Sequence, residues 1–318
     1  MRKIILDCDT GSDDAAAILL SSSSERLNLL GVTAVMGNLP LEFTYQNARE
    51  LIGYLGTDTP VLKGEGNPLI RKLWVGSEEN HPLPIPQEPR VLSTPRHVDA
   101  VEWLRQTLEE SDEKVTLVPL APMTNLAKLF LFYPDLVEEK VEEIVCMGGG
   151  YMFGNSTPAA ELNIYADPEA AQVVFSFGKP IVMCGLDVCH RAYITEEEAD
   201  KYFSDIDNKA GKVFYGICKQ SYEWMKRDDI PEQYRLWDKK GAIVYDTVPI
   251  VYLLNPDIFE TIAANINVEC SSDTCDGMTV CETSSWHDST PKIHKVVLDL
   301  DRIAYLETMR DALLQFQG

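Results

Sequence analysis

"IILDCDTGSDDAAAILL", residues 4–20, sets four aspartates, Asp7, Asp9, Asp13 and Asp14, between an apolar run and a string of alanines. The leading run reads as a buried strand and the trailing one as a helix with an acidic first turn, with Gly11 supporting the tight turn between them. In an open α/β sheet, ligands bind beyond the carboxyl ends of the strands, which is where Asp7 and Asp9 stand. The helix macrodipole favours Asp13 and Asp14 by only ~0.3–1 kcal/mol each. Two carboxylates ~4 Å apart repel by ~4 kcal/mol at an effective dielectric of about 20. Capping alone therefore does not hold four such groups together, whereas a bound divalent cation does. Oxygen donors without histidine or cysteine point to Ca²⁺ or Mg²⁺.

Further apolar runs recur at 29–35, 61–62, 115–119, 143–147 and 181–184, with helix-period segments at 14–22, 41–55, 97–109 and 168–177 between several of them. Continuous rather than alternating apolar strands indicate a sheet covered on both faces. Strand–helix alternation implies an open, mostly parallel, doubly wound α/β sheet of Rossmann-like type with helices on both faces. A strand-rich extension closed by a helix near 303–316 completes a single expected domain, 1–318. The stretch from Trp74 to Pro95 is rich in proline and charge without either period, as lids often are. A second polar, aromatic stretch, 221–240, holds Tyr222, Trp224, Tyr234, Arg235 and Trp237.

The net charge of −22 argues against nucleic acid as a partner. No apolar run reaches the ~18 residues of a membrane span. Met1-Arg2-Lys3 leads straight into a strand, with no signal-peptide pattern, so the expected location is cytoplasmic. None of the eight cysteines forms a C-x-x-C pair, and several sit in apolar runs as small hydrophobes.

A hard-cation site needs donors from elsewhere in the chain. "VPLAPMTNLA" (118–127) ends a strand and starts a helix, so the Thr124 carbonyl can face the same crevice. "AIVYDTVPI" (242–250) carries Asp246 before another helix-like run, where an aspartate serves as an N-cap as readily as a ligand. "MGGGYMFGNSTPAAELNIYADPEAA" (147–171) ends a strand in glycines that allow close backbone approach, then offers Asn155, Glu161 and Asn163. With no basic residue among them, these groups suit sugar hydroxyls better than phosphate, and they can equally be ordinary loop polar residues.

Taken in order, these motifs resemble those of the nucleoside hydrolase family, the inosine–uridine-preferring nucleoside N-ribohydrolases. The likeness runs through "DCDTGSDDA", with Thr10 where proline is common, "GN" at 37–38, "PLAPMTNLA", the "MGGG…GN…ExN…DPEAA" stretch and the late Asp246. It implies that Asp9, Asp14, the Thr124 carbonyl and Asp246 coordinate Ca²⁺ and that Asp7 supports them from behind. Asp13 would bridge the metal and a ribose hydroxyl. Asn38, Asn155, Glu161 and Asn163 would hold the ribose, with Met147 packed nearby. The implied reaction is Ca²⁺-dependent hydrolysis of a ribonucleoside to ribose and free base, with Asp9 as general base and a homodimer or homotetramer as the assembly. An oxocarbenium-like transition state suits such an acidic pocket.

Departures fall at the base end. Tyr245 stands where many relatives have a histidine that protonates the leaving base, and as a candidate catalytic residue it can donate that proton or stack on the base. Asn80, with His81 beside it, falls at the place of the lid histidine, and Leu162 stands where phenylalanine is common. Two rival readings keep the acidic cluster. A calcium-stabilised nucleoside- or sugar-binding protein would lack turnover. A dehalogenase-like phosphatase would use Asp7 as nucleophile, but Gly11 replaces the Thr or Val its motif wants, and no basic phosphate partner is evident.

Overall fold

The structure, a computed structural model, describes residues 1–86, 92–93, 96–227, 241–284, 286 and 290–317. Nine strands form one sheet: β1 (Arg2–Cys8), β2 (Leu27–Ala34), β3 (Val61–Lys63), β4 (Val115–Pro119), β5 (Val141–Met147), β6 (Ile181–Cys184), β7 (Phe259–Val268), β8 (Thr279–Glu282) and β9 (His294–Leu300). Their spatial order is β3-β2-β1-β4-β5-β6-β9-β7-β8. Strands β1 through β6 and β9 run parallel, while β7 lies antiparallel to both β9 and β8. The last strand in sequence is thus inserted between β6 and β7.

The uninterrupted apolar strands are explained by two separate cores. On β1, Ile4, Leu6 and Cys8 enter one core and Ile5 the other; on β5, Val145 and Met147 face the first, Ile144 and Cys146 the second. Helices α1 (Ser12–Ser23) and α2 (Leu41–Leu55), with the helices Lys209–Met225, Thr247–Leu254 and Arg302–Leu314, contribute to the first core. Helices α3 (Ala100–Glu110) and α4 (Thr124–Phe132), with the helix Pro168–Ser176, cover the other. The helix expected from 97 begins at Ala100 instead, because the Asp99 carboxylate accepts from Glu102 N at 3.1 Å and caps it. Among the described residues of 74–95 there is no helix or strand. Tyr234, Arg235 and Trp237 lie outside the described residues, as do 87–91 and 94–95. All eight cysteines are free. Among the described residues no helix is long and apolar enough to cross a membrane.

The order reverses between β1 and β4, as β1 leads outward to β2 on one side and β4 to β5 on the other. This switch point is where a doubly wound sheet opens a crevice at its carboxyl edge.

Candidate functional site

The acidic stretch occupies that crevice. Asp7 closes β1 fully buried. Its Oδ1 accepts from Thr33 Oγ1 at 2.5 Å and from Asn125 Nδ2 at 2.7 Å, tying β1 to β2 and to the start of α4. Asp14, in the first turn of α1, folds back so that its two oxygens accept from Asp9 N and Gly11 N, each at 3.0 Å. The carboxylate of Asp9 receives the backbone N–H of Asn38 and, at 3.3 Å, the Asn38 amide. A Cβ at Gly37 would lie 2.1 Å from Asp9 Oδ2, so only glycine lets the backbone pass there.

Asp246 directly precedes the helix Thr247–Leu254, yet its side chain makes no capping hydrogen bond. It turns toward α1 instead: Asp13, Asp14 and Asp246 each bring an oxygen within 4.8 Å of the others. Asp9 is not a member of that compact triad; it borders it, buried, through Asp14 and Asn38. Thr124 opens α4 with its hydroxyl donating to Asp167 Oδ2 at 2.6 Å, and Asp167 also accepts from Leu69 N.

Burial dominates the electrostatics here. It pushes the Asp7 and Asp14 carboxyls up to about 7 and raises Asp9, Asp13 and Asp246 as well. The negative charge of the neighbouring aspartates raises Asp9, Asp14 and Asp246 further. Several buried carboxylates whose main neighbours are one another have the donor chemistry of a hard cation site, so the residues present fit such an ion.

The sugar-suited loop closes the other side. Gly149, at φ 76°, donates to Glu161 Oε2 at 2.9 Å, and Glu161 also accepts from Asn163 N at 2.9 Å, capping the short helix Leu162–Ala166. Burial lifts Glu161 to about 7 against those hydrogen bonds. Asn163 Nδ2 donates to Leu120 O at 3.0 Å and Met147 O at 3.2 Å, while Asn155 Oδ1 accepts from Leu162 N.

A cleft of ≈ 510 Å³ joins these groups. Asp13, Asn38, Met147, Asn155, Glu161, Asn163, Tyr245 and Asp246 all line it, with Asp9, Asp14 and Thr124 buried behind. Asn80 does not line it. Its Oδ1 accepts from Asn47 Nδ2 at 3.2 Å, and the neighbouring His81 lines the cleft instead. Beside His81 and Tyr245, Trp224 and Leu83 complete the far end.

Two residues escaped the sequence reading. Asn47, fully buried on α2, donates to Thr10 O at 3.0 Å and to Asn80, linking the acidic turn to the segment before His81. His190 brings Nε2 to 3.4 Å from the Tyr245 hydroxyl. It follows the helix Leu186–Cys189 just beyond β6, another carboxyl strand end where site residues gather, and that position was the available signal.

Fold and cleft together define a small-molecule enzyme of the doubly wound α/β class, its polar centre at the switch point. Residues 4–307 match the family described as inosine-uridine preferring nucleoside hydrolase. The pyrimidine-specific ribonucleoside hydrolase RihA of Shigella boydii serotype 4 (strain Sb227) is 37% identical over 313 residues, covering 98% of this chain and 97% of the relative. Among solved structures, the purine-preferring ribonucleoside hydrolase from Gardnerella vaginalis superposes with a TM-score of 0.85 at 26% identity, covering 99% of each chain. A plant nucleoside hydrolase gives 0.82 at 27% identity, covering 98% of this chain and 99% of its own. The chain belongs to the inosine-uridine preferring nucleoside hydrolase family and is a hydrolase of ribonucleoside N-glycosyl bonds.

Proposed function

We propose that the cleft performs this hydrolysis with Ca²⁺ held by Asp14, Asp246 and the Thr124 carbonyl, together with Asp9 and Asp13. The observation that carries this reading is the compact approach of Asp13, Asp14 and Asp246 in one cleft with Asn155, Glu161 and Asn163. Two oxygens on opposite sides of one Ca²⁺ at ~2.4 Å each are at most ~4.8 Å apart, so the triad needs little adjustment to share an ion. Bound there, Ca²⁺ supplies Lewis acidity that lowers the pKa of a water and orients the ribose diol.

The chain's own groups do the rest. Asp9 takes a proton from the water as it attacks C1′, its carboxylate held ionised beside the cation and oriented by the Asn38 N–H. Asn38, Asn155, Glu161 and Asn163 hold the ribose hydroxyls, with Met147 beneath. The surrounding negative charge stabilises the oxocarbenium-like ribosyl group, and direct attack by water inverts the anomeric centre. Tyr245 faces the nucleobase and stacks on or positions it. An ordinary phenol, with a pKa of ~10, is poorly matched to neutral proton donation, so the base, leaving with the electrons of the broken C1′–N bond, takes up its proton from water.

RihA is described as pyrimidine-specific and the Gardnerella enzyme as purine-preferring, so base preference in this chain rests on its own far wall. We carry forward a cytoplasmic homo-oligomer, checked by light scattering. Ribose release from inosine, adenosine, guanosine, uridine and cytidine, with and without chelator, tests the whole reading. Release that is indifferent to chelation and to Ca²⁺ add-back would remove the metal; nucleoside binding without release would leave only a binding protein.

A further inference from the structure

The geometry points to His190 as a positioning residue that holds Tyr245 against the nucleobase and so sets base selectivity. This rests on the reading that Tyr245 faces the base. The imidazole of His190 stands edge to face with the Tyr245 ring, centroids 5.9 Å apart and planes at 66°, and Nε2 lies 3.4 Å from the phenol oxygen. The imidazole also meets the Phe153 ring, with centroids 5.2 Å apart. Phe153 belongs to the loop that carries Asn155, so His190 touches both that loop and the base-side tyrosine.

The platform under His190 is pinned at both ends. Ile194 and Ala242 exchange backbone hydrogen bonds, each at 2.8 Å, and Cys189 Sγ approaches Tyr245 O at 3.8 Å. The segment bearing His190 is therefore laced to the one bearing Tyr245 and Asp246. Asp187 on the same short helix accepts from Tyr151 N at 2.6 Å and Met152 N at 3.1 Å, fixing the start of the Phe153 loop. A ring wedged between two such fixed segments leaves Tyr245 fewer orientations to lose when a base arrives. Burial keeps the imidazole neutral, lowering it to about 4. It therefore adds no positive charge beside the acidic cleft, and its nitrogen can donate to or accept from the phenol.

The test compares His190→Ala, His190→Gln, which keeps a polar group near Nε2, and His190→Phe, which keeps ring volume without nitrogen. The kcat/KM ratio of inosine to uridine is the readout, because general loosening of the fold lowers both substrates alike. His190→Ala and His190→Phe are expected to shift that ratio roughly threefold or more, while His190→Gln stays near wild type. Adding His190→Ala to Tyr245→Ala should change nothing further. An unchanged ratio, or losses that multiply in the double variant, overturns the proposal. If His190→Ala does not fold, the Phe and Gln pair decides in the same way. Wild-type protein that releases no ribose from any nucleoside overturns the hydrolytic reading instead. Calorimetric affinity for inosine relative to ribose in the same variants then scores His190 separately: a drop for inosine alone supports it, and equal drops overturn it.

Discussion

The two ends of the cleft are built differently. The acidic and sugar-holding end comes from the ends of β1, β4 and β5 and the first turns of the elements that follow. Its carboxylates are gripped by main-chain N–H groups: Asp9 by Asn38, Asp14 by Asp9 and Gly11, Glu161 by Gly149 and Asn163. The base end is assembled from the irregular segment around His81, the end of the helix Lys209–Met225 and the stretch before Asp246. His81 is exposed, and Trp224 is 40% exposed. In the proposed reading, the chemistry common to every nucleoside falls on strand ends and the turns that follow them, and the part that varies with the base falls on an irregular segment and an exposed helix end.

The sharpest way to break this contrast is to remove the metal. With chelator, turnover on all nucleosides should vanish and return with Ca²⁺. Stability should change as well. Asp7 and Asp14 rise from an ordinary 3.8, and Glu161 from 4.5, to about 7 in the fold. The folded state thus holds these protons more tightly than the unfolded one. The stabilisation is full below about pH 4 and is lost as pH rises through about 7. The Tm in chelator should fall across that window, and the increment given by Ca²⁺ should grow across it. A pH-independent Ca²⁺ increment would mean that Asp14 is not among the metal's ligands.

Next in size, Asp9→Asn should lower kcat by at least ~10²-fold while the fold is retained. The loss should be similar for purine and pyrimidine substrates, because Asp9 belongs to the shared end. A loss confined to one class of base would contradict the division. Glu161→Gln sets an amide N–H₂ among backbone donors that now meet a carboxylate, and should lower stability by ~1–3 kcal/mol, read as a Tm shift, with a weaker ribose affinity. Smallest, Trp224→Ala at the exposed rim should raise KM for nucleosides less than about tenfold and leave ribose affinity unchanged. A large fall in kcat would place Trp224 in the chemistry instead.

The shared end was legible in the sequence because its cost is local. Four aspartates within one turn and a strand end make little sense without a ligand, whereas Asn155, Glu161 and Asn163 gained their meaning only beside that cluster and the resemblance in motif order. The doubly wound sheet was legible for a similar reason: β1, β5 and β6 are apolar on both faces because two cores bury them. The remaining features depend on contacts that no local pattern carries. His190 meets Tyr245 across 55 positions, and Asn80 is drawn away from the cleft by Asn47 on α2. The turn at Asp9 shows the same limit. Spacing marks Asp7, Asp9, Asp13 and Asp14 as a group, but it is the folding back of Asp14 and the passage of Gly37 that bring Asp13 into the compact triad and turn Asp9 toward Asn38.

The placement of β9 has a consequence for how the chain is made. Among the described residues β7 pairs with the parallel part of the sheet only through β9, so β7 and β8 cannot join that sheet by strand pairing until residues 294–300 have left the ribosome. The helix that follows β9 then sets Tyr305 against Thr247, the neighbour of Asp246, through their hydroxyls. During synthesis the amino-terminal aspartates are therefore in place long before Asp246 is locked beside them. If Asp246 holds the ion as proposed, the site is completed only by the final turns of the chain, and a nascent or carboxyl-truncated protein would present an acidic crevice with a weaker hold on its cation.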